Sequence, residues 1–130
     1  MRLYIACPRA QTGRARRFAD LARAAGIRVV SRWHETTEQD APEPAFSAAR
    51  AVLAENMTDL CAATHLVALL SDERGRETYV ELGRALERGR CHVVMVPGSK
   101  PPLSWADPNV SIAATDERAL FLLVSLTRAR

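Results

Sequence analysis

The chain alternates short, almost wholly apolar runs with longer stretches in which apolar residues recur at helical spacing. Leu3 to Cys7 reads as a strand. From Thr12 to Ala25, apolar Phe18, Leu21, Ala22 and Ala25 keep the helical period, and Gly26 stands where a helix ends. Ile27 to Trp33 reads as a second strand, and the acidic segment His34 to Pro44, with Pro42 and Pro44, as a loop. An alanine-rich helix is predicted from Ala45 to Ala63, carrying Phe46, Val52, Leu53 and Leu60, before a third strand from His65 to Leu70. Glu77 to Arg88 reads as a helix with Tyr79, Leu82 and Leu86 on one face, stopped by Gly89. Cys91 to Val96 is the fourth strand, Pro97 to Pro108 a proline-rich loop, and Val110 to Ala113 a short fifth strand. Asp116 is placed to cap a final helix running to Thr127.

Strands that are apolar throughout, alternating with helices, predict a parallel sheet covered on both faces. Right-handed crossovers then give an α/β, flavodoxin-like doubly wound fold with strand order 2-1-3-4-5. Such folds bind ligands beyond the carboxyl ends of the strands, where strands 1 and 3 part. The loops that matter are therefore Cys7 to Gly13, Trp33 to Pro44 and Ser71 to Thr78.

Composition narrows the class without naming a reaction. The 130 residues are 48% apolar and 25% charged, which predicts one globular domain over residues 1–130. The apolar runs fall far short of the roughly 20 residues a membrane span needs. Arg2-Leu3-Tyr4-Ile5-Ala6-Cys7 does not read as a leader, so a cytoplasmic protein is expected. The net charge of +3 is spread out, and Lys100 is the only lysine among 18 basic residues. Few aromatics interleave with Arg14-Ala15-Arg16-Arg17, so no stacking platform for nucleic acid is visible. Cys7, Cys61 and Cys91 form no CxxC pair, and His34, His65 and His92 lack metal-ligand spacing. With neither a P-loop nor GxGxxG in the chain, no cofactor is expected.

Three segments together carry a likeness: Tyr4-Ile5-Ala6-Cys7-Pro8, Val30-Ser31-Arg32-Trp33, and Glu77-Thr78-Tyr79-Val80-Glu81-Leu82-Gly83-Arg84-Ala85-Leu86-Glu87-Arg88-Gly89. In order and over nearly the whole chain, they resemble the nucleoside 2-deoxyribosyltransferase-like family. That family exchanges bases on deoxyribonucleosides or hydrolyses the N-glycosidic bond of nucleoside monophosphates. The resemblance implies that Glu81 is the nucleophile, attacking C1′ of the sugar to give a covalent glycosyl intermediate. Read without it, a Glu early in a helix is favoured by the dipole and can pair with Arg84 or Arg88.

The likeness also marks departures. Where family members carry two Asp eight positions apart, this chain has Asn56 and Thr64. Asn56 can orient a sugar hydroxyl but cannot act as a base. Asp59, one turn on, either substitutes for it or is a solvated helix residue. Gly75 allows close approach to the sugar, whereas Glu77 adds a negative charge that disfavours a phosphorylated substrate nearby.

Cys7, Pro8 and Arg9 belong to the loop after strand 1, where Arg9 or Arg14 could hold an anion or simply be exposed. Trp33 could stack on a base or pack in the core, and Tyr79 could touch substrate or pack. Asp72 either contacts the nucleobase or starts a turn.

Two further readings stay open: a catalytically weak or inactive nucleotide-binding protein on the same scaffold, and an NAD-cleaving domain with a helix-borne glutamate. A homodimer or higher homo-oligomer is expected by analogy with the family and from the small residues of the alanine-rich helix.

Overall fold

A computed structural model describes residues 1–36, 45–72, 75–89, 91–99 and 103–129. Strands β1 (Arg2–Ala6), β2 (Arg28–Val29), β3 (His65–Leu69), β4 (His92–Val96) and β5 (Val110–Ile112) form a parallel sheet ordered β2-β1-β3-β4-β5. The helices are α1 (Thr12–Ala24), the single turn α2 (Trp33–Thr36), α3 (Phe46–Ala62), α4 (Arg76–Glu87) and α5 (Asp116–Arg128). This is the expected flavodoxin-like architecture. Pro42 and Pro44, on which the second loop was read, lie outside the described residues.

Side chains alternate across the sheet and divide its core in two. Leu3, Ile5 and Cys7 join Val67, Leu69, Val94 and Val96 under α1 and α5, with Phe18, Ala22 and Leu123. Tyr4 and Ala6 join Leu66, Ala68, Val93 and Met95 on the other face, against Leu60 of α3 and Leu82 and Ala85 of α4. Strands β1, β3 and β4 are thus buried on both sides, which is why they read as unbroken apolar runs. Gly26, at φ 82°, ends α1 as predicted. Its N–H donates to Arg23 O and that of Ile27 to Ala22 O, both at 2.9 Å.

Two expectations are corrected. The second strand stops at Val29 rather than Trp33 because side chains take over its pairing with β1. Val30 N donates to Leu3 O (2.8 Å), but Ile5 N–H is then accepted by Ser31 Oγ (3.1 Å) and Ile5 O receives Trp33 Nε1–H (2.8 Å). With the neighbouring strand's hydrogen bonds supplied by side chains, the backbone turns into α2. The cap of the last helix is Thr115, whose Oγ1 accepts from Arg118 N at 3.2 Å. Asp116 sits one residue inside and is used differently. Its carboxylate accepts from Arg14 Nε (2.8 Å) and Nη2 (2.6 Å), while Arg14 Nη1 donates to Leu70 O and Gln11 Oε1 (both 3.0 Å). Arg14 thereby ties α1, α5 and the end of β3 together. No described helix is long and apolar enough to cross a membrane.

Candidate active site

After β1 the chain enters α1 on one face of the sheet, and after β3 it enters α4 on the other. The two exits meet where Pro8, buried, lies against Gly75 at the start of α4. A Cβ at Gly75 would stand 2.9 Å from Pro8 Cγ, so only glycine permits this approach. The junction fixes where α4 begins, and with it the position of Glu81.

Glu81 lies in the second turn of α4 facing the sheet, and only 6% of it is exposed. Its hydrogen-bond partner is the phenol of Tyr4, fully buried on β1, which donates to Oε1 at 2.7 Å. Burial pushes the Glu81 carboxyl up to about 7; the Tyr4 hydrogen bond opposes the shift, and the like charge of Glu77 one turn earlier adds to it. Burial and the Glu81 charge push the Tyr4 phenol upward in turn. Tyr4 therefore stays a donor at neutral pH, while Glu81 exchanges its proton near neutrality. The surface pairing with Arg84 or Arg88 is replaced by this buried contact. A carboxylate with one oxygen held by a phenol and the other without a hydrogen bond among the described residues can attack an electrophile or move a proton.

Asp59 is buried on α3, not solvated. Arg32, following β2, grips it with Nε–H to both oxygens (3.0 and 3.1 Å) and Nη2–H to Oδ1 (2.7 Å), and the Arg32 backbone N–H adds a bond at 3.1 Å. Glu55 stands 3.7 Å from the same guanidinium. The charge of Asp59 is felt at Tyr4, so α3 contributes to the surroundings of the Tyr4–Glu81 pair. Asn56, half-buried, precedes Asp59 by one turn.

The other candidates are distributed less simply. Cys7 is buried, with Sγ 3.6 Å from Gln11 O, and half-buried Arg9 begins a 3-10 turn, Arg9–Gln11. Arg14 is committed to Asp116. Trp33 packs against both core clusters, its indole bonded to Ile5 O. Asp72 is exposed and accepts from Ser99 N (2.9 Å) and Oγ (2.7 Å), joining the loops after β3 and β4. Tyr79 is 42% exposed and, two residues before Glu81, lies on the other side of α4. Thr64 stands just before β3, at the amino-terminal end of the central strands, where its Oγ1 accepts from Arg2 N at 3.0 Å.

Sequence reasoning missed Tyr4 and Arg32. The signal for Tyr4 was a hydroxyl in an otherwise aliphatic strand, since a buried phenol needs a polar partner on the helix above it. No pattern linked Arg32 to Asp59, 27 residues away. No group of three or more His, Cys, Asp or Glu among the described residues could hold a metal.

The chain matches no family model and no curated protein sequence. A solved structure described as the 2-deoxyribosyltransferase from Bacillus psychrosaccharolyticus, a biocatalyst for synthesis of antiviral and antitumoral nucleosides, superposes on it with a TM-score of 0.71. The match covers 95% of this chain and 96% of that one at 15% sequence identity. What the two proteins share is the fold: this chain is built on the architecture of a 2-deoxyribosyltransferase.

Proposed function

We propose that the protein cleaves or transfers the N-glycosidic bond of a (deoxy)nucleoside or nucleoside monophosphate, with Glu81 as nucleophile. The reading rests on one observation: a buried carboxylate held by a phenol on the first strand, in a fold shared with a 2-deoxyribosyltransferase. The ionised Glu81 oxygen attacks C1′ of the sugar, and the C1′–N bond breaks with its electron pair leaving on the base, which takes up a proton from water. Water or a second base then attacks C1′ and releases the carboxylate. Tyr4 holds Oε1 throughout, so that Oε2 carries the bond to the sugar. Cys7, Pro8, Arg9, Trp33, Asn56, Asp59, Asp72 and Gly75 are the proposed substrate-side residues, whereas Tyr79, on the other side of α4, is not placed with Glu81.

The test is chromatographic detection of free base from ribo- and deoxyribonucleosides, their 5′-monophosphates and NAD. Wild type and Glu81→Ala are compared, with and without an acceptor base. Base released by wild type alone supports the reading, and dependence on acceptor separates transfer from hydrolysis. A silent panel, or an active Glu81→Ala, overturns it. Nicotinamide released from NAD in preference to all others would move the reading to NAD cleavage.

Binding without turnover is the second reading, and the Arg32 grip on Asp59 favours it: that carboxylate already accepts four hydrogen bonds. It requires a nucleotide that raises the melting temperature without being consumed. We further propose a homodimer or higher oligomer, in which the exposed Phe46, Val52 and Leu53 of α3 and Val80 of α4 are covered by a second copy. Sedimentation of wild type as a monomer would refute this.

A further inference from the structure

His34 is fully buried on α2, yet its hydrogen bonding is one-sided. Nε2 lies 3.1 Å from Ser31 Oγ, and Nδ1 has no hydrogen-bond partner among the described residues. Ser31 Oγ also accepts the Ile5 N–H. Only a neutral imidazole suits this place. Protonation puts an N–H on both ring nitrogens, leaves Nδ1–H buried without an acceptor among the described residues, and places a charge where burial outweighs the attraction of Glu35. On α1 the charged neighbours are Arg16, whose Nε donates to His34 O at 2.6 Å, and Arg23. On α2 it is Glu35, which is itself paired with Arg23. Ser31 and the edge of the Trp33 ring, 5.5 Å between centroids, complete the site.

We propose that His34 is an acid-released latch: protonation buries an Nδ1–H with no acceptor among the described residues, and the cost is relieved when the Ser31–Thr36 segment comes away from β1. Burial holds the imidazole below its ordinary 6.5, in keeping with a closed state that excludes the proton. The latch is therefore fully closed above about pH 6.5 and weakens as pH falls below it, by about tenfold in the opening equilibrium per pH unit. What it holds is more than itself. The same six residues carry the Trp33 indole on Ile5 O and the Arg32 grip on Asp59, so opening loosens both α1 and α3 from the edge of β1. This inference does not depend on the glycosidic reading.

The test is hydrogen exchange followed by NMR on the full-length protein between pH 7.5 and 5.5, expressed as protection factors. The Ile5 amide and the Trp33 indole N–H should lose about tenfold in protection, while the Val67 amide in the middle of β3 keeps its own. In His34→Gln the amide can still bond Ser31 but cannot titrate, and the loss at Ile5 should vanish. A parallel change at Ile5 and Val67, or the same loss in His34→Gln, overturns the latch. Should that variant not fold, the His34 ring signals of wild type decide alone. Titration at or above 6.5 in the folded protein refutes the proposal, and titration well below it sustains it.

Discussion

Replacing Glu81 by Gln should make the protein more stable above neutral pH and leave the pH-dependent part of its stability unchanged in acid. In the unfolded chain the Glu81 carboxyl ionises near 4.5, whereas in the fold it holds its proton to about 7. A group raised in this way favours the folded state below the unfolded value, and that advantage is lost as pH climbs toward the folded value. The interval from 4.5 to about 7 corresponds to about 3 kcal/mol by which the fold disfavours the charged form. Gln keeps the size of the side chain and an oxygen for Tyr4 but cannot ionise, so it escapes that loss. Urea unfolding of both proteins at pH 4.5, 6, 7 and 8 reads the effect. With a slope of about 2 kcal/mol per molar urea, the midpoint of Glu81→Gln should gain about 1.5 M on wild type across this range. A difference that stays flat from pH 4.5 to 8 would refute the reasoning, because it would mean that Glu81 is not held in an environment hostile to its charge. The comparison also bears on function. A stability gain in Glu81→Gln accompanied by loss of base release would tie that cost to the proposed role of the charge.

Other consequences follow from the same geometry. If Glu81 reacts ionised, base release should rise with pH, reach half its plateau near 7, and stay flat above; a rate independent of pH from 5 to 9 argues against it. Glu77→Gln removes the like charge one turn away, so the half-point should move to lower pH, measured on the same substrate. Tyr4→Phe deletes the donor that favours the charged form. The half-point should therefore move up, and unfolding should show a loss of about 1–3 kcal/mol below neutral pH. Gly75→Ala drives a Cβ against the Pro8 ring and should cost about 1–3 kcal/mol, read by urea, because the ring cannot swing aside. Arg14→Ala should lower stability by about 1–2 kcal/mol by releasing α5 from α1, and Asp116→Asn should reproduce much of that loss.

The fold was legible because its strands are apolar from end to end and its helices carry clear stops. The succession of Leu3–Cys7, His65–Leu70 and Cys91–Val96, separated by helical periods, leaves few arrangements other than a parallel doubly wound sheet. The end of β2 was not legible. Periodicity cannot show that Ser31 and Trp33 side chains will reach back to Ile5, since those bonds depend on the turn that follows. The cap at Thr115 was missed by one residue, because Thr and Asp both cap helices and only the distant Arg14 decides that Asp116 is used elsewhere. At the candidate site, Glu81 was reached through the family resemblance of residues 77–89, since its helix context alone reads as a surface carboxylate. Its partner Tyr4 lies 77 residues earlier, and the Arg32–Asp59 pair likewise joins segments that share no local pattern. Contacts of that range are settled by topology, which local spacing does not encode.

The two-residue second strand has a consequence for how the protein behaves in concentrated solution. A parallel sheet ending on such a short strand would leave the flank of β1 as an open backbone template, inviting strand addition from another molecule. Trp33 and Ser31 close that flank at Ile5 with side-chain atoms that cannot propagate a ladder. The indole adds bulk where an incoming strand would have to lie. The aromatic side chain thus protects the sheet against self-association as much as it fills the core. A variant lacking it should reveal the defect first as aggregation on standing, before any change in helix or strand content is measurable.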